Sequence, residues 1–206
     1  MTPSIIKDSL EKGLSYPTYR AHIKSLLSTN TSTGNSQTAD LVEYSRLNDR
    51  RMDRLDKTLR LDEGIRQELE QLNQPLTLLV IAEGWCGDAA QIVPVINKVA
   101  EASQRINLRI VLRDEQEALM NLFLTNGSKA IPKVIVLNQE NDVLNSWGPR
   151  PSHAQKMVRD YKEKNGCIDA EFKKELQLWY NKDKGLHIQK DLLQILQSSI
   201  PEHVNS

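Results

Sequence analysis

The chain has 206 residues, 39% hydrophobic and 26% charged, enough for one core of moderate size. Its 27 Lys and Arg balance 27 Asp and Glu, which argues against a nucleic-acid binder that relies on bulk positive charge. Two cysteines, Cys86 and Cys167, are too few for a secreted disulfide scaffold. No secretory leader is visible, and no stretch nears the roughly 18 apolar residues of a membrane span. A soluble cytoplasmic protein with no membrane or nucleic-acid partner is expected.

Residues 1–73 read as helical. Short helices are expected at Ser4–Lys12 and Thr18–Ser28, followed by a Ser/Thr/Asn-rich loop through Thr38. Asp40 is a plausible N-cap for a longer helix. Its apolar stripe would be Leu41, Tyr44, Leu47, Met52, Leu55 and Leu59. Arg46, Arg50, Arg51 and Arg54 alternate with Asp49, Asp53 and Asp56, which reads as a solvated, self-paired face rather than an anion site. A further helix is expected at Glu63–Leu72.

From residue 75 onward, apolar strands alternate with helices. Strands are expected at Leu76–Ala82, Ile106–Leu112, Val134–Leu137 and Val143–Trp147, with helices at Ala89–Ser103, Glu115–Thr125 and Pro151–Lys164. Asn126-Gly127 would cap the second of these helices. The order β-α-β-α-β-β-α gives parallel strands first and a hairpin last, covered on both faces. Two more helices, Asp169–Asn181 and His187–Ser199, would pack back on the domain. The expected organisation is an N-terminal helical extension (1–73), an α/β core (74–165) and C-terminal helices (166–206).

Trp85-Cys86-Gly87-Asp88-Ala89 joins the first strand to its helix. A cysteine delivered to a helix start meets free N–H groups and the positive end of the helix dipole, both of which favour thiolate. Pro94 follows within that helix, Ile131-Pro132 precedes the third strand, and Gly148 ends the fourth. In motif, spacing and element order the chain resembles the thioredoxin-like superfamily, in particular a bacterial branch carrying Trp-Cys-Gly-Asp behind an N-terminal helical extension. The fold this implies is α/β, a central mixed sheet with flanking helices plus helical extensions at both ends.

The resemblance implies roles for individual residues. Cys86 would attack a disulfide sulfur and form a mixed disulfide. Trp85 would wall one side of the thiol, and Gly87 would let a substrate approach. Ile131, beside a cis Pro132, would offer its backbone to an extended peptide or a small cysteinyl thiol. Where the family carries its second, resolving cysteine stands Ala89, so release needs a thiol from elsewhere. Cys167 is expected to be buried or inert. The family's buried carboxylate falls at Val80, and Glu83 is the nearest acid. Asp88 is expected to cap the helix; alternatively it tempers the nucleophile or accepts its proton.

The expected function is therefore a monothiol thiol–disulfide oxidoreductase, its partner a disulfide-bearing protein or a low-molecular-weight thiol. The alternatives are a non-catalytic peptide-binding module and a small-thiol-dependent transferase. No cofactor is expected. His22, His153, His187 and His203 stand at no metal-ligand spacing from either cysteine, so no metal is expected either. Arg150, close to Gly148, reads as a surface residue, with a place on the rim of the site as the alternative, and Trp147 and Trp179 read as packing residues.

Overall fold

The computed structural model describes residues 2–200. His203 lies outside them. Four helices come first: α1 (Thr2–Lys12), α2 (Tyr16–Ser28), α3 (Ala39–Thr58) and α4 (Glu63–Glu70). The α/β segment follows as β1 (Leu76–Ala82), α5 (Gly87–Glu101), β2 (Ile106–Leu112), α6 (Glu117–Leu122), β3 (Lys133–Leu137), β4 (Val143–Trp147) and α7 (Ser152–Asn165). The helices α8 (Ala170–Asp183) and α9 (Leu186–Ser198) follow and are the last elements among the described residues.

The four strands lie in the order β2-β1-β3-β4. β1 runs parallel to β2 and antiparallel to β3, and β3 is antiparallel to β4. β1 is buried on both faces, which is why it reads as an unbroken apolar run. Its side chains alternate between two cores. Leu78, Val80 and Ala82 pack with α5, α8 and α9, while Leu79 and Ile81 pack with Ile6 of α1 and Leu119 and Met120 of α6. The free edge of β2 is partly closed by the α1–α2 link. Leu14 and Ile110 exchange two backbone hydrogen bonds of 2.8 Å, which blunts an otherwise sticky edge.

Several boundaries differ from the sequence reading. Thr38, not Asp40, caps α3, its hydroxyl accepting from the Leu41 N–H. α6 ends at Leu122. Asn126 and Gly127, both at positive φ, form the two-residue turn of a small Thr125–Ser128 bridge rather than a helix cap. β3 begins one residue early, at a buried Lys133 whose charge disguises it as a loop residue.

The buried face of α3 is also different. Tyr44 is 51% exposed and Leu47 43%, while polar Ser45 and Asn48 are buried beside Val42, Met52 and Leu55. The helix turns two polar residues inward because they have partners there. Ser45 shares a 2.5 Å hydrogen bond with Ser32, and Asn48 reaches the loop after β1. The acids of α3 are not self-paired. Buried Arg20 of α2 meets Asp49 at 3.0 Å, Asp53 at 2.6 Å and Asp56 at 3.5 Å. That network ties α2 to α3.

Candidate active site around Cys86

β1 ends in the loop Glu83–Cys86, which delivers Cys86 to the start of α5. Cys86 is itself the N-cap, its sulfur accepting the Ala89 N–H at 3.5 Å. The loop is held from the N-terminal side. The Gly84 N–H donates to the Thr33 hydroxyl at 2.8 Å, and the Gly84 carbonyl accepts from the Asn48 amide at 2.9 Å. Both partners are buried. A side chain at Gly84 would press on Ile23 and Thr33, so the close approach of this loop to α2 and the Thr33 segment favours glycine.

Glu83 is fully buried. Its Oε1 accepts the Asp114 N–H at 3.0 Å, while Oε2 has no partner among the described residues. Burial raises its carboxyl pKa above the ordinary 4.5, opposed by Thr33 and the Asp114 N–H. Asp114 in turn pairs with Arg113 at 2.8 Å, and the Arg113 guanidinium lies 4.7 Å above the Trp85 ring. Trp85 is thus a half-buried wall with one face occupied by a cation.

On the other side of the thiol, the Ile131–Pro132 peptide bond is cis, and the Cys86 thiol donates to the Ile131 carbonyl at 3.4 Å. Ile131 and Pro132 are buried. Gly148 closes the same corner at φ +118°, and a Cβ there would stand 2.3 Å from the Pro132 oxygen. Only glycine fits that approach.

Asp88 does not cap α5. It is buried, and its carboxylate meets Arg150 at 2.5 Å and accepts the Tyr180 hydroxyl at 3.0 Å. Arg150 is correspondingly no surface residue; its side chain is 24% exposed. A buried carboxylate needs a cation and a donor more than the helix needs a second cap. The thiol responds to this arrangement. Burial first, then the Asp88 charge, push the Cys86 thiol up to about 12, against the N–H groups of Ala89 and Asp88 and the Arg150 cation. The helix start alone predicts an acidified thiol; desolvation and Asp88 overturn that.

The structure therefore gathers Cys86, Trp85, Gly87, Asp88, Ile131 and Pro132 at one place. Cys167 is an exposed residue in the α7–α8 turn, not a buried one. Trp179 stacks on His153, ring centroids 5.2 Å apart, and the Trp147 indole N–H donates to Asp191 at 3.1 Å. Sequence reasoning preferred the surface for Arg150 over the rim of the site, and missed Tyr180, Thr33 and Asn48. Arg150 had one signal, its position just past Gly148; the others come from the helical extensions, where nothing local marks them.

A mixed four-stranded sheet with a cysteine at the first helix start and a cis-proline opposite it defines a thioredoxin-like fold with helical extensions. A family model described as thioredoxin matches residues 34–162, and the chain belongs to that family. The match begins upstream of β1, within the loop that carries Thr33 and Gly34.

Among solved structures, the chain is similar to a Pseudomonas aeruginosa protein of unknown function, with 18% identity, a TM-score of 0.63, and coverage of 93% of this chain and 96% of that one. It is likewise similar to an HIV epitope scaffold, with 19% identity, a TM-score of 0.61 and the same coverages. Both likenesses extend over the helical extensions and speak to the fold alone. No curated protein matches the chain.

Proposed function

We propose that the chain is a monothiol thiol–disulfide exchange protein acting through Cys86, akin to the bacterial thioredoxin-like branch with a Trp-Cys-Gly-Asp motif. One observation carries the reading: the Cys86 sulfur sits at the start of α5, within 3.4 Å of the carbonyl beside cis Pro132. In the first step Cys86 loses its proton and its sulfur attacks one sulfur of R–S–S–R′. The Cys86–S–S–R bond forms, and R′–S⁻ leaves and takes up a proton. Ala89 offers no resolving thiol. A second, external thiol must attack Cys86–S–S–R at the Cys86-bound R sulfur, forming the new disulfide and returning Cys86 to its thiol.

The test is to mix the protein with a small disulfide and map adducts by mass spectrometry, then add a free thiol. A Cys86 adduct released by the thiol, and absent from Cys86→Ser, supports exchange. Failure of Cys86 to form any adduct would remove the reading.

The thiol held at about 12 favours a second reading, a peptide-binding module in which no bond changes. Partners retained by Cys86→Ala would support binding; partners captured only as disulfides would support exchange.

A further inference from the structure

Arg51 of α3 lies on the same side as Gly87. A Cβ built on Gly87 would stand 3.6 Å from Arg51 Nη1 and 3.4 Å from Gln177 Nε2. Two side-chain donors, one from each helical extension, therefore converge on the residue next to the thiol. Each is oriented from behind by a buried amide. Asn48 Oδ1 accepts from Arg51 Nη1 at 2.8 Å, while the other end of Asn48 is fixed to Gly84. Gln91 donates to Gln177 Oε1 at 2.9 Å, which turns the Gln177 NH₂ group toward Gly87.

Arg51 is unlike the other half-buried arginines near the site. Arg113 and Arg150 each hold a carboxylate. Arg51 is half-buried, and among the described residues no carboxylate lies within ion-pair distance of it. One turn on, Arg54 is held by the neutral Asn181 amide at 2.7 Å, so it brings no carboxylate to Arg51 and adds a like charge beside it. Burial first, then Arg54, lower the Arg51 pKa, and the Asp88 carboxylate, itself held by Arg150, offsets this only in part. A half-buried, oriented guanidinium with no carboxylate in ion-pair contact is a site for a planar anion.

We infer that Arg51 and Gln177 bind the carboxylate of a low-molecular-weight acidic thiol while its sulfur is joined to Cys86. The inference rests on the exchange reading and adds the substrate class to it. The enclosure of Gly87 between α3 and α8 favours a small molecule over a folded protein. In the exchange step, R–S–S–R′ carries a carboxylate on R, R becomes bonded to Cys86, and R′–S⁻ leaves with a proton from solvent. Arg51 binds the substrate carboxylate and takes no part in the bond change.

The experiment compares two disulfide probes on Cys167→Ser protein: dithionitrobenzoate, which carries carboxylates, and uncharged dithiodipyridine. The quantity read is the ratio of their rates at Cys86. Arg51→Gln should lower that ratio about tenfold, Arg51→Lys should restore part of it, and added salt should lower it only where the cation remains. Gln177→Glu, on a different helix, should lower it as well, so that poor folding of one variant does not decide the matter. A ratio unchanged in both Arg51→Gln and Gln177→Glu would overturn the inference while leaving exchange intact. No reaction of either probe at Cys86 would overturn exchange itself.

Discussion

The Asp88 carboxylate meets the Arg150 guanidinium at 2.5 Å, and the two charges act on the Cys86 thiol in opposite directions. Asp88 raises its pKa and Arg150 lowers it, while burial outweighs both. Burial thus sets the level of the thiol, and a pair of charges, one from α5 and one from the turn after β4, adjusts it.

Replacing Asp88 by Asn removes the charge that opposes thiolate and frees Arg150 to face the sulfur. Alkylation of Cys86 by iodoacetamide at mildly alkaline pH should then rise on the order of tenfold for each unit by which the pKa falls. In the unsubstituted protein, the rate should keep climbing from about pH 7 to about pH 10 with no plateau, because the thiol titrates near 12. A plateau below pH 9 would contradict this account.

Replacing Arg150 by Met leaves a buried carboxylate with only the Tyr180 hydroxyl. The expected cost is about 3 kcal/mol in urea unfolding, together with slower alkylation. The double variant with Asp88→Asn should recover part of that stability, since no unpaired charge then remains. Strict additivity of the two single changes would show that the pair is not coupled.

Glu83 gives a pH-dependent signature. Its folded-state pKa is raised above the ordinary 4.5, so the folded state holds this proton more tightly than the unfolded chain does. The stability it contributes is fully present below about 4.5 and is lost as pH rises through the raised folded value. Glu83→Gln should therefore be more stable than the parent at neutral pH, with the gain shrinking as the pH falls toward 4. Thermal melts at the two pH values check the sign.

Gly148→Ala places a methyl 2.3 Å from the Pro132 oxygen at a backbone angle of +118°. A loss above about 3 kcal/mol is expected, with Cys86 chemistry disturbed through the displaced Ile131–Pro132 corner. Gly127→Ala, at φ +73° with open space around it, should cost much less.

Strand positions were legible because buried strands are runs of apolar residues, and three of the four agree to the residue with their sequence bounds. The fourth starts at Lys133, whose burial no local pattern announces. The thiol, its helix and the Ile131–Pro132 corner were legible from spacing. The partners of Asp88 were not, because Arg150 and Tyr180 lie far along the chain and meet it only once the sheet and α8 are in place. Periodicity also failed on α3. It assigned Tyr44 and Leu47 to the buried face, whereas the structure spends that face on Ser45 and Asn48 to reach the loops beside the thiol.

The grip of Thr33 and Asn48 on Gly84 moves the boundary of the unit that holds Cys86 upstream. A chain begun at residue 74 would retain every strand and the cysteine. It would still expose one backbone N–H and one carbonyl at the turn that aims the sulfur. Such a fragment could look native by its secondary structure and yet hold its thiol in many orientations.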